Sequence, residues 1–280
     1  DYLGTILIAG SATALVLLTT TGGNTWAWGS WQIISLGVAG VGMLVAMIIV
    51  EQRVAEPVLP LYLFKDRVFA LCSAVGFVVG FAMFGCITFM PLYMQVVYRV
   101  SPTQSGLQLT PLMVGIILMA IVSGQLISRT GKYRAFPIAG TIIMAFGLFL
   151  LSRMDEHTSR GITTLYLLVT GLGIGLVMQV LVIAVQNAVG RRDLGVATSS
   201  ATFFRQIGAS FGVAVFGAIF TNVLTTKIQA LIASSGLPAA AISGGVNQAF
   251  SNPAALSKLP PALQAQFLHA FASSLDTVFL

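Results

Sequence analysis

Residues 69–96 read FALCSAVGFVVGFAMFGCITFMPLYMQV, without a single Asp, Glu, Lys or Arg. About 20 apolar residues carry an α-helix across the roughly 30 Å hydrocarbon core of a bilayer, so this run spans one with residues to spare. Barrel strands instead show short alternating segments, and this run does not alternate. The stretch predicts a transmembrane helix. Six further runs repeat the pattern, at 3–20, 31–50, 107–127, 133–151, 163–189 and 196–224, and an eighth starts near Phe267.

Composition agrees with this solvent. Hydrophobic residues make up 56% of the chain and charged residues only 8%, against about 25% charged in a soluble domain. So few charges cannot coat a water-facing surface, so the outer faces must meet lipid. The net charge of +6 is spread in short clusters between apolar runs, which is the layout of topology signals and excludes a nucleic-acid stripe. Cys72 and Cys86 lie on one run, about 21 Å apart at 1.5 Å per residue, too far to pair. The chain opens on Asp1-Tyr2 and stops at Phe279-Leu280 just as a new apolar stretch begins, so both ends read as cuts in a longer protein.

Orientation follows from the cations. With Asp1 cytoplasmic, the inside loops hold Arg53, Lys65, Arg67, Arg129, Lys132, Arg134, Arg191 and Arg192, and the outside loops hold Arg99, Arg153, Arg160, Lys227 and Lys258. That bias follows the positive-inside rule, and Tyr2, Trp26, Trp28 and Trp31 fall at interfacial positions. Residues 1–54 therefore form a pair of spans, and residues 55–67, with Pro57, Pro60 and the amphipathic Leu61-Tyr62-Leu63-Phe64-Lys65, form a linker lying in the cytoplasmic interface. Residues 68–280 form the main bundle, with 225–266 read as a long external loop. Two G-x-x-x-G pairs, Gly76 with Gly80 and Gly208 with Gly212, mark possible close helix contacts.

The most specific short signal is Gly124-Gln125-Leu126-Ile127-Ser128-Arg129-Thr130-Gly131-Lys132-Tyr133-Arg134, at a cytoplasmic turn. Gly131 permits the tight turn, Arg129 can bond the last carbonyls of its helix, and Lys132 with Arg134 hold the loop inside. This pattern resembles the G-x-L-x-x-R-x-G-K/R loop of the major facilitator superfamily, in the copy carried by its carboxy-terminal half. Phe89-Met90-Pro91-Leu92-Tyr93-Met94-Gln95, Ser105-Gly106-Leu107, Gly171-Leu172-Gly173-Ile174-Gly175 and Phe203-Phe204-Arg205-Gln206-Ile207-Gly208 narrow it to the fourteen-span drug:proton antiporters of the EmrB/QacA type. Ser128 stands where the fuller copy of the loop motif is acidic, and Arg99 where the family has glycine.

The resemblance implies an all-α polytopic bundle of the major facilitator fold: two linker helices, then a carboxy-terminal six-helix bundle whose last helix is truncated. It implies export of small lipophilic, often cationic compounds across a bacterial cytoplasmic (inner) membrane, with the proton gradient as energy source and no cofactor. The partners it implies are substrate, protons, the lipid bilayer and an absent amino-terminal bundle. The loop residues Gly124, Arg129, Gly131 and Lys132, with Arg205, would form the gate.

The acids are Asp1, Glu51, Glu56, Asp66, Asp155, Glu156, Asp193 and Asp276, all in loops or near span ends. Proton coupling needs a protonatable group in the pathway, which places the coupling acid in the absent half. Asp276 is the possible proton-linked residue of this chain, facing either the pathway or the interface. In the sixth span Gly171, Gly175, Gln179, Val182 and Gln186 recur on one helical face. Gln179 and Gln186 either line the substrate pathway or tie neighbouring helices by hydrogen bonds. Arg205 is the only charge well inside a complete span, and its likeness to the family favours a structural role near the gate. Phe84, Tyr93, Gln95 and Met178 suit a broad pocket for flat cations, and also suit plain packing. His157 and His269 lie in or beside external loops, and no nucleophile, metal or acid/base spacing occurs within a span, so neither an enzyme nor a metal site is expected. Export of one metabolite, or a non-transporting sensor or scaffold, remains the alternative to drug export.

Overall fold

A computed structural model of the chain describes residues 2–22, 26, 29–51, 53–54, 61–235 and 261–279. Trp28, linker residues 55–60 and loop residues 236–260 lie outside the described residues. The described chain is helical: α1 (Tyr2–Thr21), α2 (Trp31–Glu51), a 3-10 helix η1 (Leu61–Lys65), α3 (Arg67–Val97), α4 (Pro102–Leu107), α5 (Thr110–Thr130), α6 (Ala135–Leu151), α7 (Arg160–Ala188), α8 (Leu194–Ser235) and α9 (Pro261–Phe279). Each of the seven complete apolar runs is a helix. α2, α3, α4 with α5, α7 and α8 are long and apolar enough to cross a membrane, while α1 and α6 are shorter apolar helices.

A helix satisfies its own backbone, so in lipid its apolar side chains can be shown outward at no cost. Val38, Ile117, Ile142 and Leu165 are each more than half exposed, a surface that water would penalise and hydrocarbon accepts. The helices contribute to two compact units. The first contains Asp1–Gly85, Val122–Pro137 and Leu176–Ala218, and the second Cys86–Ile121, Ile138–Gly175 and Ile219–Leu280.

In the first unit α1 and α2 form an antiparallel pair, with Ser11 Oγ donating to the Gly40 carbonyl at 2.9 Å and Gly40 3.0 Å, by its would-be Cβ, from Leu15. The two G-x-x-x-G pairs meet in a single α3/α8 seam. A methyl on Gly80 would collide with the Arg205 carbonyl, and methyls on Gly208 and Gly212 would collide with the carbonyls of Phe77 and Phe81, whereas Gly76 has 3.9 Å of room. Backbone here approaches backbone, which only missing side chains allow. η1 is fixed from two sides. Phe64 packs edge-on against Phe69 and Phe204 at 5.0 and 5.4 Å, and Tyr62 Oη donates to Asp193 at 2.8 Å, a bond that raises the Tyr62 phenol above its ordinary value.

In the second unit the same device joins α7 to its neighbours. Gly171 and Gly175 lie against the Leu112 and Ile116 carbonyls of α5, a Cβ on Gly115 would stand 2.8 Å from the Leu168 carbonyl oxygen, and Gly173 meets Met144 of α6. α8 differs from expectation. It does not end at Leu224 but continues to Ser235, because Leu224, Ile228 and Leu231 keep the helical apolar spacing and Lys227, Gln229 and Ala230 are good helix formers. α9 likewise starts at Pro261 rather than near Phe267, where proline suits a first turn that has no partner for its N–H.

Candidate substrate-pathway and gate residues

The loop motif closes α5 by local backbone chemistry. Gly131 takes φ 65 and its N–H returns to the Ile127 carbonyl at 2.8 Å, the left-handed cap that satisfies a terminal carbonyl and favours glycine. Thr130 Oγ1 donates to the Leu126 carbonyl at 2.7 Å. Arg129 and Lys132 are both exposed. Among the described residues Arg129 makes no hydrogen bond, so the carbonyls it could have capped are met by Gly131 and Thr130.

About two turns earlier, Gly124 faces α7 with room for a Cβ. The aliphatic stem of Gln179 lies 3.8 Å from where a Cβ on Gly124 would stand, so these two sequence-predicted residues are neighbours in the first unit. Gln179 and Gln186 are exposed on α7, and Gln186 Nε2 reaches Thr198 Oγ1 at 3.4 Å. Met178 and Val182 turn to another face, where with Cys72, Gly76, Thr202 and Arg205 they line a crevice of 20 Å³. Arg205 is half-buried there, its Cγ 3.0 Å from the would-be Cβ of Gly80. Its guanidinium has no hydrogen bond or ion pair among the described residues. Phe84 is half-buried on α3 of the same unit.

The second unit holds the remaining sequence-predicted residues. Tyr93 is 1% exposed and donates its hydroxyl to the Asp155 carbonyl at 2.6 Å. Gln95 Nε2 donates to Ser105 Oγ at 3.0 Å, tying α3 to the short α4. Tyr98 meets the Thr158 carbonyl and Thr163 Oγ1 at 2.9 and 2.6 Å, with Arg160 over its ring at 5.6 Å. Hydrogen bonds from Thr158 and the His157 N–H hold the Asp155 carboxyl below its ordinary value.

Asp276 is half-buried on α9, in the electrostatic field of Lys227, Asp155, Glu156 and His269. Lys227 Nζ donates to Ser273 Oγ at 2.7 Å, and His269 Nδ1 sits 3.2 Å from both Glu156 oxygens. Sequence reasoning named Asp276 but missed this surrounding cluster. Its signal was present: His269, Ser273 and Asp276 stand at i, i+4 and i+7, one face of a helix.

The family model described as the Major Facilitator Superfamily matches residues 6–213. An uncharacterized MFS-type transporter of Mycobacterium tuberculosis is 45% identical over 280 residues, covering 100% of this chain and 40% of the relative. Multidrug transporter protein MdtP of Bacillus subtilis is 36% identical, covering 98% of this chain and 53% of the relative. The tetracycline resistance determinant of Streptomyces rimosus is 36% identical over 83% of this chain and 67% of its own length. The chain thus spans about half, or less, of the first two relatives. Among solved structures, a bacterial homologue of the human lysosomal transporter Spinster, inward-facing and unoccupied, aligns over 99% of this chain and 64% of its own, with a TM-score of 0.59 at 14% identity, a likeness of fold.

Proposed function

Because the chain belongs to the Major Facilitator Superfamily, we propose that it forms the substrate-lining carboxy-terminal half of a fourteen-span, proton-driven exporter of small lipophilic, often cationic compounds. The observation that carries this reading is that Gln179 stands exposed among the apolar residues of α7, with Gln186 and Asn187 exposed near the end of the same helix. An amide facing lipid is costly, so an exposed one belongs beside water, ligand or a second bundle. Multidrug and tetracycline relatives of similar sequence support the substrate class.

In this reading two bundles rock about a site near the midplane, as inverted-repeat transporters do. α7 supplies Gln179 and Gln186 to the polar wall, Phe84 and Met178 supply apolar area, and Tyr93 with Gln95 frame the outer end. Gly124, Arg129, Gly131, Lys132 and Arg205 act at the cytoplasmic gate. Asp276, with Lys227 beside it, serves proton exchange, and the remaining acids of the coupling path lie in the amino-terminal bundle. The membrane is the bacterial cytoplasmic membrane.

The test uses the full-length protein in a pump-deficient bacterial host. Expression should lower accumulation of a lipophilic cationic dye, and collapse of the proton gradient should restore it. Gln179→Leu with Gln186→Leu should raise the half-saturating dye concentration about tenfold, the effect of one lost buried polar contact of about 1.4 kcal/mol. Unchanged accumulation over a broad compound panel would sink drug export and leave a single-metabolite exporter or a non-transporting role.

A further inference from the structure

We propose that the first unit binds an anionic phospholipid, with one acyl chain seated between α1, α2 and α8 and its headgroup held at the basic end of η1. The seat is a cavity of 310 Å³, at the lower end of the range for ligand pockets, about 300–1,000 Å³. Ala12, Leu15, Met47, Phe203, Phe204 and Phe64 are among the residues that wall it. Ser11 is its one hydroxyl, and that group is already bonded to the Gly40 carbonyl. Water in such a place would find no partners, whereas a hydrocarbon chain needs none.

Charge at the mouth selects the occupant. Phe64 lines the cavity, and the next residue, Lys65, is exposed. Arg67 follows, exposed at the start of α3, and Arg53 is exposed just after α2, whose last turns carry Met47 and Ile48 into the cavity. The Tyr62–Asp193 bond holds η1 beside the turn that bears exposed Arg191 and Arg192. Of the nearby acids, Glu51 is buried at the end of α2, Asp66 Oδ1 accepts from the N–H groups of Val68 and Phe69 at 2.7 and 3.1 Å, and Asp193 accepts from Tyr62. Five exposed cations beside an apolar slot repel a lipophilic cation and attract an amphiphile with a negative head. Basic pockets between helices on the cytoplasmic side bind such heads, each Lys or Arg adding to the attraction.

The experiment supplies phosphatidylglycerol and phosphatidylcholine of identical chains, at equal concentration, to the purified full-length protein in detergent, and counts adducts by native mass spectrometry. Phosphatidylglycerol should be retained about tenfold over phosphatidylcholine, and Lys65→Gln with Arg67→Gln should remove that preference. Ala12→Phe should reduce retention of both lipids by filling the slot. Inorganic phosphate in excess should displace neither. As a readout that does not depend on a tolerated cavity variant, Phe203→Trp fluorescence, corrected for the parent protein, should be quenched more by phosphatidylglycerol brominated on its chains than by the brominated choline lipid. Equal retention of the two lipids, displacement by phosphate, no effect of Ala12→Phe, or no quenching overturns the proposal. The last two results would be those of a slot filled by another part of the full-length protein.

Discussion

Arg99 is the only non-glycine residue with positive φ among those described, at 53°. It occupies the place where the resemblance led one to expect glycine, and the backbone there has kept the glycine conformation. A left-handed residue with a Cβ costs about 1–2 kcal/mol, and the Arg99 guanidinium recovers part of that by donating to Gln264 at 3.0 Å. Arg99→Gly should therefore leave the thermal unfolding midpoint of the purified full-length protein nearly unchanged. Arg99→Val, without the donor and with β-branching that the left-handed region tolerates worse than the parent's side chain, should lower stability by about 1–2 kcal/mol. Equal midpoints for the two variants would remove strain from the explanation. Gly131 was legible in sequence because its cap obeys local rules. Tyr93 was not, because its hydroxyl reaches an acceptor 62 positions away, and no local pattern encodes such a partner.

At the scale of elements, the seam between α3 and α8 makes the sharpest contrast. Gly208→Val should cost about 1–3 kcal/mol by overpacking against the Phe77 carbonyl, while Gly76→Ala, with 3.9 Å of room, should stay within about 0.5 kcal/mol of the parent. Midpoints of both variants in one detergent test the pair, and similar losses at the two glycines would mean the seam is not the cause. η1 offers a second contrast. The Tyr62 phenol is raised first by the bond to Asp193 and then by burial, so that bond contributes fully below the unfolded value and is lost as pH rises through the folded one. The difference in midpoint between the parent and Tyr62→Phe should be flat to about pH 10 and then shrink. Helices were readable because apolar length decides them. Both ends of the loop assigned to 225–266 were misplaced, because helix-forming residues such as Lys227, Gln229 and Ala230 extend α8 although their mean hydropathy no longer looks like a span.

At the scale of the molecule, a chain that spans 40% of its mycobacterial relative carries only part of any transport cycle in the proposed function. The 280-residue chain expressed alone should reach the membrane fraction and give no dye efflux, and the full-length protein should give both. Efflux by the short chain would overturn the two-bundle reading. Family and fold were legible from the loop at 124–134 and the apolar runs. The proposed polar wall was legible only as a face: spacing put Gly171, Gly175, Gln179 and Gln186 on one stripe, but glycine and glutamine at one period encode different neighbours. Gly171 and Gly175 are spent on α5, and Gln179 and Gln186 are left exposed.

The length of α8 has an experimental use. Its 42 residues extend roughly 63 Å at 1.5 Å per residue, against about 40–45 Å for a whole bilayer with its headgroups. Even well tilted, such a rod must emerge into water, and in the orientation expected from the positive-inside rule its later turns lie outside the cell. A cysteine put at Gln229 should then react with a membrane-impermeant maleimide added to intact cells, while one at Phe211 should stay dark. The outer turns of α8 thus offer a handle for labels, antibodies and tethers.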